Sequence, residues 1–169
     1  MSKVITFSRV FPITHPRKGE PTYFVEKFWK GLETIGFSEP CYFFDELTGL
    51  GSVISGKDYN DKTPKLHTIR AGNRFKAGEL FSPRVWSGKP YTTKQIIIAP
   101  DVRIKKVFDI EIYPTNEVMI NGKFFCSFGS ENWLNLCLND GLSSEDMRNW
   151  FNKLPFKGQV ICWSDSVNY

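Results

Sequence analysis

Between His67 and Ile120 the chain passes through several short apolar segments, with no stretch between them long enough for a crossover helix. Parallel neighbours in a doubly wound sheet need a crossover of about a dozen residues or more. The spacing therefore excludes a doubly wound fold. It predicts strands over 67–69, 78–86, 95–98, 102–113 and 117–120, with a turn at Ser87-Gly88. Asn121-Gly122 is a strong two-residue hairpin signal, because both positions tolerate a positive φ. A first strand is predicted over 3–7 and a closing one over 158–163.

Helices are predicted at three places. Phe24, Val25, Phe28, Trp29 and Leu32 recur on one helical face, Pro21 is suited to open that helix and Gly36 to stop it. Its aromatic stripe reads as core. A second helix is expected over 132–138. A third begins at Ser143, where Asp146 follows as a capping partner and Met147, Trp150, Phe151 and Leu154 form the buried face. The expected fold class is thus α+β, a small β-barrel carrying about three packed helices. The 169 residues are read as a single domain, 1–169, with an insertion at 37–64 where a short aromatic element precedes a Gly/Ser/Asp/Asn/Lys-rich loop.

The four cysteines, Cys41, Cys126, Cys137 and Cys162, form no CxxC pair, and only His15 and His67 could join them. That spacing implies no metal centre and no cofactor, and fits buried thiols in a reducing cytoplasm. The opening MSKVITFSRV lacks the apolar core of a secretory signal, and no run approaches the roughly 18 apolar residues of a membrane span.

The formal charge of +4 is too modest to announce a nucleic-acid binder, but its distribution is uneven. Residues 62–106 hold eleven basic side chains against Glu79 and Asp101, a net of +9, and leave −5 for the rest. Phe75, Phe81, Trp86 and Tyr91 are interleaved with those charges. Basic groups attract phosphates and exposed aromatics stack on unpaired bases, so the block points to RNA or a nucleotide as partner. The plainer reading is a solvated basic strand with core aromatics. Arg70, Arg74, Lys76, Arg84 and Trp86 are the candidate phosphate and RNA contacts. The loop His15-Pro16-Arg17-Lys18-Gly19 reads either as a solvated loop or as one wall of a phosphate site.

Lys65-Leu66-His67-Thr68-Ile69-Arg70 carries the most chemistry. On a strand, Thr68 and Arg70 share one face and His67 and Ile69 the other. Lys65 follows Pro64, and an irregular lead-in there would bring its amine round to the Thr68 hydroxyl. A desolvated Lys amine beside a hydroxyl is one way to activate a nucleophile. Arg70 could then hold a phosphate or carbonyl oxygen. An ordinary barrel strand with surface polar groups is the plainer reading of these residues alone.

KLHTIR followed by NRFKAGELF resembles the signature region of the ASCH domain, a PUA-like β-barrel family. Ile5-Thr6-Phe7 with Arg9 is similar to a family first strand. Asp140-Gly141-Leu142 before Ser143-Ser144-Glu145-Asp146 is similar to the acidic residue that precedes a family helix. The likeness covers 3–11, 65–86 and about 134–163. It implies an RNA- or modified-nucleotide-binding domain. By likeness to the bacterial N4-acetylcytidine amidohydrolase branch, it also implies a hydrolase with Lys65 as base, Thr68 as nucleophile and Asp140 in the place of a Glu. The alternatives to these are a ribonuclease using the same groove and a non-catalytic protein-interaction domain with the insertion as its contact surface. The chain is longer than the compact enzymes, the 37–64 insertion lies just before the active strand, and Asp140 is one methylene shorter than the family Glu.

Overall fold

The computed structural model describes residues 2–37 and 61–169, and the greater part of the expected insertion, 38–60, lies outside them. The described residues belong to two compact units, one made of Met1–Pro64 and Glu79–Arg103, the other of Lys65–Gly78 and Ile104–Tyr169. Together they contain nine strands in two sheets and three helices, an α+β fold. Neither sheet closes on itself among the described residues.

In the first unit, β1 (Lys3–Phe7) runs parallel to β3 (Leu80–Trp86), which pairs antiparallel with β4 (Gln95–Ile97) and with β5 (Val102–Arg103). Helix α1 (Phe24–Glu33) lays its apolar stripe on this sheet. Phe28 meets Phe7 at 4.9 Å and Phe81 at 6.2 Å between ring centroids. Trp29, fully buried, donates its indole N–H to the Ile98 carbonyl at 2.9 Å. Pro21 does not open the helix. It bridges Val10, and the Thr22 hydroxyl accepts from the Phe24 N–H instead, which satisfies one of the orphan donors of the first turn.

The second unit is a five-stranded antiparallel sheet in the order β2-β9-β6-β7-β8, formed by His67–Ala71, Phe156–Cys162, Lys106–Ile112, Glu117–Ile120 and Lys123–Ser127. Cα partners share a face. His67, Ile69, Val160, Cys162, Phe108 and Ile110 therefore lie on one side, and Thr68, Arg70, Gln159 and Ile161 on the other. Helix α2 (Glu131–Asp140) packs against β2 and β8 and against α3 (Ser144–Trp150), burying Trp133, Leu136 and Cys137. Ser130 and Ser143 cap the two helices through their hydroxyls. Asn121 and Gly122 join β7 to β8 with φ of 48° and 75°, as a two-residue turn with two positive φ angles requires.

The strand expected over 102–113 is interrupted. Its first part pairs with β3 in the first unit, its second with β9 in the second, and the break falls at Ile104-Lys105.

Candidate functional site

Two places gather the residues the sequence singles out. The first is in the second unit, at the start of β2. Lys65 is 1% exposed, and its amine donates to the Asp140 backbone carbonyl and, at 2.9 Å, to Asp140 Oδ1. Asp140 ends α2, and Gly141, with φ of 79°, turns the chain immediately after it. The Leu66 N–H donates to the Asn139 carbonyl, and the Trp163 indole to the Lys65 carbonyl, so backbone bonds fix the Lys65 segment on both sides. His67 completes the cluster, with Nδ1 3.4 Å from Asp140 Oδ1, too long for a good hydrogen bond.

Burial lowers the His67 pKa and outweighs the Asp140 carboxylate, which acts in the opposite direction. The imidazole is neutral. Burial would raise the Asp140 pKa, but the Lys65 ammonium and His67 together outweigh it and hold the carboxyl below its ordinary value. The cluster is therefore an ammonium–carboxylate pair beside a neutral imidazole.

Lys65 and Asp140 are thus brought together as expected, whereas Thr68 lies across the strand. Lys65 keeps the side of His67, two residues on, rather than turning toward Thr68. Thr68, 4% exposed, is on the face of Ile161 and Gln159. His67 is the member that spacing alone did not single out, and the signal that could have found it is the shared parity of residues 65 and 67. Arg70 is half-buried opposite Gln159, whose amide clamps both backbone groups of Phe75. Arg74 is exposed over the Phe75 ring and Lys76 is exposed beside it.

The second place is the β3–β4 hairpin of the first unit. Arg84 and Trp86 share a face of β3. The Arg84 guanidinium is held by Ser82 Oγ at 3.1 Å and Gln95 Oε1 at 3.3 Å. Trp86 is half-buried, and the Tyr91 ring lies 5.4 Å from it with 89% of Tyr91 exposed. The loop between is shaped by its own hydroxyls. Thr93 Oγ1 accepts from the Gly88 N–H, and both Thr92 and Thr93 donate to the Lys89 carbonyl. Tyr91 sits in the left-handed region, with φ of 66°. Lys89 and Lys94 are exposed on either side of it. Phe75 and Phe81, by contrast, are core residues at 2% and 0% exposure, so two of the four interleaved aromatics are excluded from stacking on a ligand.

The His15 loop is tied down. His15 is buried against Phe11 and accepts from the Arg17 N–H, and Arg17 pairs with Glu20 at 2.7 Å. Among the described residues no group of three or more His, Cys, Asp or Glu side chains could hold a metal ion, and no helix is long and apolar enough to cross a membrane. Comparison with protein-family models, with curated proteins and with solved structures gives no match to this chain.

Proposed function

We propose that this chain is a domain of the PUA-like ASCH type that binds single-stranded RNA, and that the β3–β4 hairpin is its contact. One observation carries the reading. Tyr91 stands almost fully in solvent against Trp86, on a loop ordered by hydrogen bonds and flanked by Lys89 and Lys94. An exposed aromatic pair beside cations can stack one or two bases and neutralise the phosphates that link them. A bare apolar exposure would need no cations, and a bare basic loop would need no ordered tyrosine.

The test is a fluorescence titration of Trp86 with a short oligouridylate at low salt. Binding is expected, and Tyr91→Ala weakens it by about 1–3 kcal/mol, the value of one base stack. An oligonucleotide that leaves the signal unchanged, or binds Tyr91→Ala as tightly as the parent, would overturn the reading.

The Lys65–Asp140 pair supports a second reading, amide hydrolysis on an N4-acylated cytidine. Two of its three required groups meet at 2.9 Å. Thr68 across the strand counts against a direct Lys–Thr relay, so turnover would have to survive Thr68→Ala or require a rotated strand. Absence of turnover on a panel of acylated cytidines removes this second reading. A cytoplasmic setting accords with both readings: Cys126, Cys137 and Cys162 are free and buried, and burial pushes the three thiols up to about 11, 12 and 12.

A further inference from the structure

β1 and β3 are parallel neighbours, with Thr6 opposite Arg84 and Phe7 opposite Val85. Both strands therefore leave the first sheet at the same end, from roots about 5 Å apart. From β3 comes the hairpin loop 87–94, and from β1 the excursion 8–22 that leads into α1. The excursion is held by its own bonds. The Phe11 N–H donates to the Glu20 carbonyl at 2.9 Å, the Gly19 N–H to the Phe11 carbonyl at 3.0 Å and the Thr22 N–H to the Arg9 carbonyl at 3.0 Å. The Thr22 hydroxyl donates to the Ser8 carbonyl at 2.6 Å. Between these legs His15 is buried against Phe11, and the Arg17 guanidinium lies 4.5 Å from the Phe11 centroid while it pairs with Glu20.

On this ordered loop Ile13 is 85% exposed. A singly exposed aliphatic side chain is ordinary on a protein surface. Ile13 and Tyr91, however, are the two most exposed large apolar side chains among the described residues, and both belong to loops that leave the same end of one sheet. Their surroundings are cationic. Arg9 and Lys18 are exposed on the excursion, as Lys89 and Lys94 are on the hairpin. Glu20 is the only carboxylate in the two loops, and Arg17 already holds it.

We propose that the 8–22 excursion is a second contact for the same single strand, so that the RNA runs along the end of the first sheet from one loop to the other. Arg9 and Lys18 neutralise phosphates, and Ile13 packs its apolar tip against a base, as aliphatic side chains do where they meet unstacked bases. This inference rests on the reading of the β3–β4 hairpin as the RNA contact and adds a length requirement to it. The hairpin alone takes one or two nucleotides; the two loops together take a longer strand.

The experiment titrates diuridylate and hexauridylate, at several salt concentrations, into the parent protein, Tyr91→Ala, Ile13→Ala and the double variant Arg9→Ala with Lys18→Ala. Tyr91→Ala is expected to weaken both lengths. Ile13→Ala is expected to weaken hexauridylate at least threefold and to leave diuridylate unchanged. The double variant should lower the slope of log K against log salt for hexauridylate by about 1.4, two phosphate contacts at about 0.7 each, with no change for diuridylate. If Tyr91→Ala loses affinity while both excursion variants bind hexauridylate as the parent does, the second contact is overturned and the hairpin reading stands. Equal losses on the two lengths would also overturn it, because they would place the excursion's effect at the hairpin. No binding at either length, or Tyr91→Ala binding as tightly as the parent, removes the hairpin reading and this inference with it. A dimer in sedimentation that Ile13→Ala dissolves, with RNA affinity unchanged, would assign the tip to a second copy of the chain and overturn the proposal.

Discussion

A lysine side chain that is 1% exposed has to be either neutral or paired, because an isolated ammonium loses several kcal/mol of hydration on burial. Lys65 is paired with Asp140, and each charge depends on the other. Lys65→Ala is expected to destabilise the fold by about 3–5 kcal/mol, because it leaves a carboxylate buried alone. Lys65→Met with Asp140→Leu should recover most of that loss, as apolar replacement of a whole buried pair usually does. Urea denaturation of the two variants checks both. The neighbouring imidazole adds a pH dependence. The His67 pKa is lowered in the folded chain from 6.5, so below that value the unfolded chain binds a proton that the folded one refuses. Stability should fall as the pH drops below about 6.5. The lowered Asp140 pKa extends the loss as the pH passes below 3.8. His67→Gln is expected to remove the upper part of this decline and leave the lower part. Equal slopes between pH 7 and 5 for wild type and variant would contradict the assignment.

At the scale of elements, signals local in sequence were legible and those that depend on register were not. The stripe from Phe24 to Leu32 gives α1, and Asn121-Gly122 gives the β7–β8 turn, because periodicity and turn chemistry need no distant partner. The apolar alternation lapses at Lys105-Lys106, next to the break at Ile104-Lys105, but such a lapse does not say that the two halves join different sheets. The candidate site shows the same division. Lys65 could be named from its place ahead of the strand and Asp140 only through the family resemblance, but the side of β2 that Lys65 takes is set by its bond to α2, a contact 75 residues away. Gly158 is a further case. In sequence it is an unremarked strand glycine; in the sheet it faces Ala71 and Ile110, and a Cβ there would sit 2.1 Å from the Arg70 carbonyl oxygen. Backbone cannot yield as a side-chain tip can. Gly158→Ala is therefore expected to cost about 3 kcal/mol, at the upper end of overpacking penalties, by prising β2 from β9. The same denaturation assay reads it, with loss of amide protection in 67–71 as the local signature.

The whole molecule divides what the chain writes as one block. Of the eleven basic residues in 62–106, Lys62, Arg84, Lys89, Lys94 and Arg103 belong to the first unit, and Lys65, Arg70, Arg74, Lys76, Lys105 and Lys106 to the second. Several are already engaged: Lys65 with Asp140, Lys106 with the 164–169 segment, Arg84 with Ser82 and Gln95. The +9 of the sequence is therefore not nine charges facing one ligand. If the hairpin is the RNA contact, the phosphates it neutralises are set by Lys89 and Lys94, and each phosphate contact on a single strand contributes about −0.7 to the slope of log K against log salt. Lys89→Ala with Lys94→Ala should then shrink that slope by about 1.4. Arg74→Ala with Lys76→Ala removes two exposed cations of the same sequence block from the other unit, and should leave the slope unchanged. Titrations of one oligouridylate at several salt concentrations give both slopes. Equal losses from the two pairs would mean that charge in the block acts as a diffuse field rather than at the hairpin, and would remove the hairpin as the contact.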